Sequence, residues 1–276
     1  MKRFLVNLSL FVILSSNSFP QKTEEWFPTE LNIQPFIANF LEPKAGFQYL
    51  FDISKVQINI GATRDIYHHC NNNTTISFGA DLFTYTRTRA QSNFKFPVET
   101  IDFMFGINAG YKNDEGEKEF GVRFRFSHIS AHLVDGLYDA ENEIWLNGRE
   151  PFVYSKEFIE LFPYIRKDGF RVYLGLTYII HVIPERIKKG IFQAGFDYYI
   201  FPLRNSSFIP FIAYDFKITG IEKYSGNNVV TAGIKFGEPL SRGFSLLISY
   251  LSGKSVHGEF YDVSENYWTI GLNLDL

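Results

Sequence analysis

Apolar and polar residues alternate with a period of two through most of this chain, in short runs separated by turn-forming clusters. Ile101, Phe103, Phe105 and Ile107 alternate with Asp102, Met104, Gly106 and Asn108; Phe120, Val122, Phe124 and Phe126 alternate with Gly121, Arg123, Arg125 and Ser127. The same rhythm runs through 56–61, 76–82, 172–181, 192–199, 212–219, 230–236 and 244–250. Side chains at i and i+2 share one face of a strand, so each run predicts a strand with one greasy face and one polar face. After residue 20 there is no continuous apolar run long enough for a membrane-spanning helix.

With a first hairpin near 44–53, a strand near 152–165 and a terminal strand at 269–276, the count reaches about twelve. In the terminal strand Ile270, Leu272, Leu274 and Leu276 share one face, and Thr269, Gly271, Asn273 and Asp275 the other. This pattern resembles the C-terminal insertion signal of bacterial outer-membrane β-barrels. Two architectures fit alternation of this kind: a membrane barrel with the apolar face outward, or a soluble β-sandwich or lipocalin-like barrel with it inward. The terminal strand and the Gly-rich polar faces favour the first. The expectation is therefore an all-β chain: a closed antiparallel transmembrane β-barrel of about 12 strands over 44–276. An even strand number puts both ends of the barrel on the periplasmic side. Tight turns at 113–116, 166–169 and 202–205 suit that side, and 88–99, 131–151, 220–226 and 253–263 suit longer outer loops. Segment 62–75 is long for a periplasmic turn. Ahead of the barrel, 1–20 reads as a signal peptide: basic Lys2 and Arg3, an apolar stretch over 4–14, then small residues at 16–18. Residues 21–43 are expected as a periplasmic N-terminal segment.

Composition sharpens this picture. In 276 residues there are 30 Phe and 16 Tyr, and aromatics make up 18%, more than a soluble core of this size needs and what a lipid-facing wall consumes. A net charge of -3 argues against nucleic acid, which requires a basic excess. A lone cysteine, Cys70, excludes an intrachain disulfide. The expected location is the bacterial outer membrane. The expected partners are outer-membrane lipid and, through the last strand, the barrel-assembly machinery. Oligomeric state is left open.

Several segments are similar to one bacterial outer-membrane β-barrel family built on a domain of unknown function. Residues 35–46 resemble its opening motif. Residues 126–136, with His128, Ser130, Ala131, His132 and Asp135, resemble a central His-x-Ser-Ser-His-Leu-x-Asp motif in which Ala131 replaces the second Ser. Tyr154-Ser155-Lys156-Glu157 resembles a Ser-Arg-Glu pattern with Lys for Arg, and 250–261 the last loop. The resemblance implies fold and location and brings no activity with it.

His128-x-Ser130 is the sharpest chemical signal. It resembles the His-x-Ser of outer-membrane phospholipases and lipid A deacylases. A serine nucleophile needs an adjacent base, and i and i+2 share a strand face. The pair continues the apolar parity of Phe124 and Phe126, toward the outer leaflet. An orienting group is sought in the following loop, among Asp135, Asp139, Glu141, Asn142 and Glu143, with His132 as an auxiliary. The plainer reading makes His128 and Ser130 interfacial residues at a strand end. No cofactor is expected, and no metal: His128 and His132 lie roughly 13 Å apart on an extended strand, and 67–70 alternates its ligands between faces. The polar parity holds Arg123, Arg125, Glu157, Asp215 and Lys217, expected as lumen charges, together with Asp81, Asp102, Asp197 and Lys235. These imply a salt-bridged interior or the lining of a narrow passive pore. The Gly/Ser-rich 252–258 lacks the spacing of a phosphate-binding loop. The function expected is that of an outer-membrane barrel with a structural, transport or envelope-interaction role. The alternatives are a lipid-directed serine hydrolase built on the His-x-Ser pair, and a narrow pore.

Overall fold

A computed structural model describes residues 22–200, 208–239 and 241–275. The expected signal peptide, the turn at 202–205 and Leu276 lie outside them. Twelve strands make the barrel: β1 (Ala45–Leu50), β2 (Lys55–Asn71), β3 (Thr74–Arg89), β4 (Val98–Asp114), β5 (Lys118–Leu133), β6 (Tyr154–Lys167), β7 (Phe170–Ile183), β8 (Gly190–Tyr199), β9 (Phe208–Ile221), β10 (Lys223–Gly237), β11 (Gly243–Lys254) and β12 (Ser264–Asp275). Each pairs antiparallel with its sequence neighbours, and β1 closes the sheet on β12. A short strand, Lys22–Trp26, adds to the far end of β2.

Burial decides which face is greasy. Ile107, Leu174 and Phe105 are 61%, 61% and 53% exposed, whereas Arg125, Asp102 and Asp81 are almost completely buried. The bulky apolar parity points away from the centre and the charged parity toward it, the inverse of a soluble barrel. The soluble alternative fails on this observation.

Loop lengths alternate as expected, with two differences. Segment 62–75 is strand on both sides of a tight turn at Asn72 and Asn73, with Asn72 at φ 54°. Segment 220–226 is likewise strand, broken only at Glu222 (φ 58°), with Lys223 to Gly226 in full register against β9. Their few apolar residues break the period of two, Ile66 and Tyr67 being adjacent and Ile221 and Tyr224 three apart, so alternation carries no signal there even though the backbone ladder continues. The longest connection, 134–153, carries a one-turn 3-10 segment, Asp135–Leu137, and a two-residue ladder between Tyr138–Asp139 and Ile144–Trp145.

The N-terminal segment expected at 21–43 continues into the barrel as residues 32–44. They run through the lumen. The Asn32 amide N–H donates to Asp65 (2.7 Å), and its side chain reaches Ser77. Phe36 packs between the guanidinium groups of Arg123 and Arg171, 4.8 and 4.4 Å from its ring, and against Tyr173 and Phe162. Glu42 accepts from Arg123 (2.7 and 2.5 Å) and Arg125 (3.3 Å). The physical reason is charge: lumen arginines require carboxylates and carbonyls, and this segment supplies them. Carbonyls of Gln34 and Pro35 accept from Arg171, and that of Leu41 from Arg125.

Candidate active site on the outer wall

β5 runs from the turn end of the barrel to the loop end, and its register with β4 and β6 is unbroken. Without a bulge the parity holds along its length. Arg123 and Arg125 face inward, and His128, Ser130 and His132 face outward with Phe124 and Phe126. Across the ladder, Glu157 of β6 stands opposite His128, and Ser155 opposite Ser130. On the far side of β6, His181 of β7 stands opposite Glu157.

These neighbours are joined. His128 Nδ1 lies 2.6 Å from Glu157 Oε1, and His181 Nδ1 lies 2.7 Å from Oε2. The Ser155 hydroxyl donates to Oε1 at 3.2 Å. The His128 ring lies against Phe105, with centroids 4.9 Å apart. With Nδ1–H given to the carboxylate, a neutral His128 keeps its Nε2 lone pair to accept a proton. Ser130 is on the same face two residues on; among the described residues no hydrogen bond joins its hydroxyl to His128. The arrangement is a base already oriented by an acid, half-buried in an apolar wall, beside a serine.

Glu157 therefore corrects its expected place in the lumen. β6 carries glutamates at 157 and 160, an odd spacing, so only one can face inward. Glu160 does, accepting from Arg125 at 3.2 Å and Thr177 at 3.3 Å. β6 also has bulky residues on both parities: Phe158, Phe162 and Tyr164 inward, Ile159, Leu161 and Ile165 outward. Apolar alternation alone left its phase ambiguous.

None of the acids sought in the loop after β5 bonds to His128. Asp139 caps its own turn, accepting from the backbone of Glu141 and Asn142. Asp135 begins the 3-10 turn, and Glu143 sits at φ 57° in the tip. The partner came from across the sheet rather than along the chain. Glu157 was within the Ser-x-Glu resemblance, and that was the one signal able to reveal it; His181 had none.

Arg123, Arg125, Asp215 and Lys217 lie on the inner parity of their strands. Arg125 binds Asp81 (2.9 Å), Glu160 and Glu42. Asp215 accepts from Tyr173 at 2.7 Å and Gln193 at 2.5 Å, and Lys217 donates to Asn39 at 3.3 Å. Burial by itself raises the pKa of Glu42, but Arg123 and Arg125 overcome it and hold the carboxyl down at about 2.

The match to a known family spans residues 98–276, which include the outer-wall cluster. The chain belongs to the DUF1207 family, described as a protein of unknown function. No curated protein matches it. Among solved structures, this DUF1207 barrel is similar to outer membrane phospholipase A from Escherichia coli, with a TM-score of 0.53 and 11% identity over 87% of this chain and 94% of that one. It also matches the β domain of the Bordetella autotransporter BrkA, with a TM-score of 0.40 and 9% identity over 85% of this chain and 100% of that one. The first likeness establishes the fold as that of outer-membrane barrels.

Proposed function

We propose that this barrel is a lipid-directed serine hydrolase of the bacterial outer membrane, with Ser130 as nucleophile, His128 as general base and Glu157 as the group that orients it. The observation that carries the reading is the 2.6 Å contact between His128 Nδ1 and Glu157 on the apolar outer wall beside Ser130. A hydrogen-bonded imidazole–carboxylate pair is more than an interfacial histidine needs, and it is the arrangement that activates a serine. The resemblance of the fold to a phospholipase supports the same chemistry. In keeping with this reading, 1–20 serve as the export signal, and the last strand is the handle for barrel assembly.

The chemistry follows. A lipid acyl ester lying against the wall presents its carbonyl to Ser130. The serine Oγ attacks as His128 Nε2 takes the hydroxyl proton, and Glu157 stabilises the imidazolium through Nδ1–H. His128 returns the proton to the departing alcohol, leaving an acyl-serine. Water, deprotonated by the same nitrogen, then releases the fatty acid. The hydroxyl closes on Nε2 when substrate binds, as catalytic hydrogen bonds tighten in the Michaelis complex.

The test is fatty-acid release from phospholipid and lipid A vesicles by the purified, refolded barrel. Ser130→Ala and His128→Ala are expected to cut release by about 10³-fold or more. Glu157→Gln, which breaks the acid–base pairing at both histidines, is expected to lower kcat by at least about tenfold. His132→Ala is expected to have no effect. Absence of release from every envelope lipid by the unmodified protein would end the proposal.

A further inference from the structure

Inside the lumen near the loop end, a cavity of about 120 Å³ lies between β3, β6, β9 and the segment 254–261. Its charge is unbalanced. Elsewhere in the lumen each described arginine has its carboxylate: Arg87 has Glu99 and Glu265, Arg123 has Glu42, Arg125 has Asp81, and Arg171 has Asp197. Four half-buried lysines line this cavity, Lys156, Lys188, Lys217 and Lys254. Among the described residues none of them makes an ion pair. Lys217 donates to an amide oxygen of Asn39, and Lys254 to the Asp262 carbonyl at 2.8 Å. The Lys156 ammonium lies 5.2 Å from the Phe158 ring centroid and that of Lys188 5.0 Å from Tyr224. Glu160 is the one carboxylate in the lining, and Arg125 and Thr177 already engage it.

A second observation points the same way. His257, 1% exposed, is fixed through Nδ1 to Asp102 Oδ2 at 2.7 Å, and its buried Nε2 has no partner. It lines the same space. The remaining walls are aromatic and aliphatic, with Tyr85, Tyr154, Tyr261 and Ile179. Lys188 is held against the wall because residue 220 is a glycine: a Cβ there would lie 2.8 Å from the lysine stem. Desolvated ammonium groups without counter-charge are costly, and an anion seated among them removes that cost. Apolar walls around a cationic floor suit a ligand with one charged group and a hydrophobic body.

We propose that this cavity is a binding site for a small organic anion, a phosphate or carboxylate group on an aromatic or aliphatic body, separate from the outer-wall serine. The probes are phenyl phosphate, benzoate, inorganic phosphate and phenol, titrated calorimetrically into the refolded full-length barrel in zwitterionic detergent. Saturable one-site binding of phenyl phosphate or benzoate is expected, with no binding of phenol. Affinity is expected to fall at least tenfold in the double variant Lys156→Met, Lys217→Met, and likewise in Lys188→Glu. Heat-modifiable electrophoretic mobility reports folding of each variant; should the double variant misfold, Lys188→Glu decides. Failure of the unmodified barrel to bind either organic anion, or unchanged affinity in a folded lysine variant, would overturn the site. Inorganic phosphate binding as tightly as phenyl phosphate would overturn the requirement for an organic body.

Discussion

Glu42 is the residue on which the inner segment turns. It is 2% exposed and meets Arg123 and Arg125 together. Its carboxyl, held down at about 2 in the folded barrel, titrates nearer 4.5 in an unfolded chain. The sign follows: its contribution is fully present above about pH 4.5, declines as the pH falls and is gone below about pH 2. Pepsin, active in that window, reports the loosening. Cleavage within 32–44 is expected to be slow at pH 4 and fast near pH 2, whereas Glu42→Gln is expected to be cut readily at both. Arg125 is the complementary case. Replacing it with Met leaves Asp81 and Glu160 buried without a cation, and Glu42 with Arg123 alone. The expected loss is about 3–5 kcal/mol in a urea unfolding titration, the range for breaking one side of a buried ion pair.

At the scale of the strand, legibility depended on contrast between faces. β5 reads cleanly because Phe120, Val122, Phe124 and Phe126 oppose Gly121, Arg123, Arg125 and Ser127, so its phase, and with it the outward position of His128 and Ser130, was available from sequence. β6 was not, because aromatics fill its lumen face while aliphatics cover its outer face. Alternation alone therefore puts Glu157 inside and hides the acid beside His128. Pairing between strands brings residues 128, 157 and 181 together, and no spacing along one chain encodes it. The inward aromatics of β6 have their own requirement. The Tyr164 side chain lies over Gly121 of β5, where an added Cβ would sit 2.4–2.5 Å from its ring edge and hydroxyl, and that hydroxyl donates to Glu119 at 2.5 Å. Gly121→Ala is therefore expected to displace Tyr164 and cost about 1–3 kcal/mol by overpacking, read as a lowered urea midpoint with an unchanged slope. On the opposite face Phe124, at mid-strand, is the position for a charge: Phe124→Arg is expected to cost about 2–4 kcal/mol if the wall is immersed in hydrocarbon, and nothing comparable in water.

For the molecule as a whole, closure and filling are separate matters. Closure needs only the short β1 between β12 and β2, and the terminal strand announced it. Filling is hidden in the sequence, because 32–44 have no alternation and bury an irregular set, Asn32, Ile33, Phe36, Ala38, Asn39 and Glu42, with Phe40 packed on Tyr85. With that segment in place, ion pairs and aromatic rings of the inner parity cross the lumen. A passive pore would need a continuous path. The intact barrel in a planar bilayer is accordingly expected to show no resolved conductance steps. Deleting 22–43 removes Glu42, the carboxylate shared by Arg123 and Arg125, and leaves Arg123 without a counter-charge in the emptied lumen. Steps should then appear, and reversal potentials in a KCl gradient should favour chloride, since an unpaired fixed cation in the lumen favours anions. Equal conductance before and after deletion would show that the inner segment does not close the barrel. Cation selectivity after deletion would show that Asp81, Glu160 and Asp197, and not the arginines, set the field once their partners are gone.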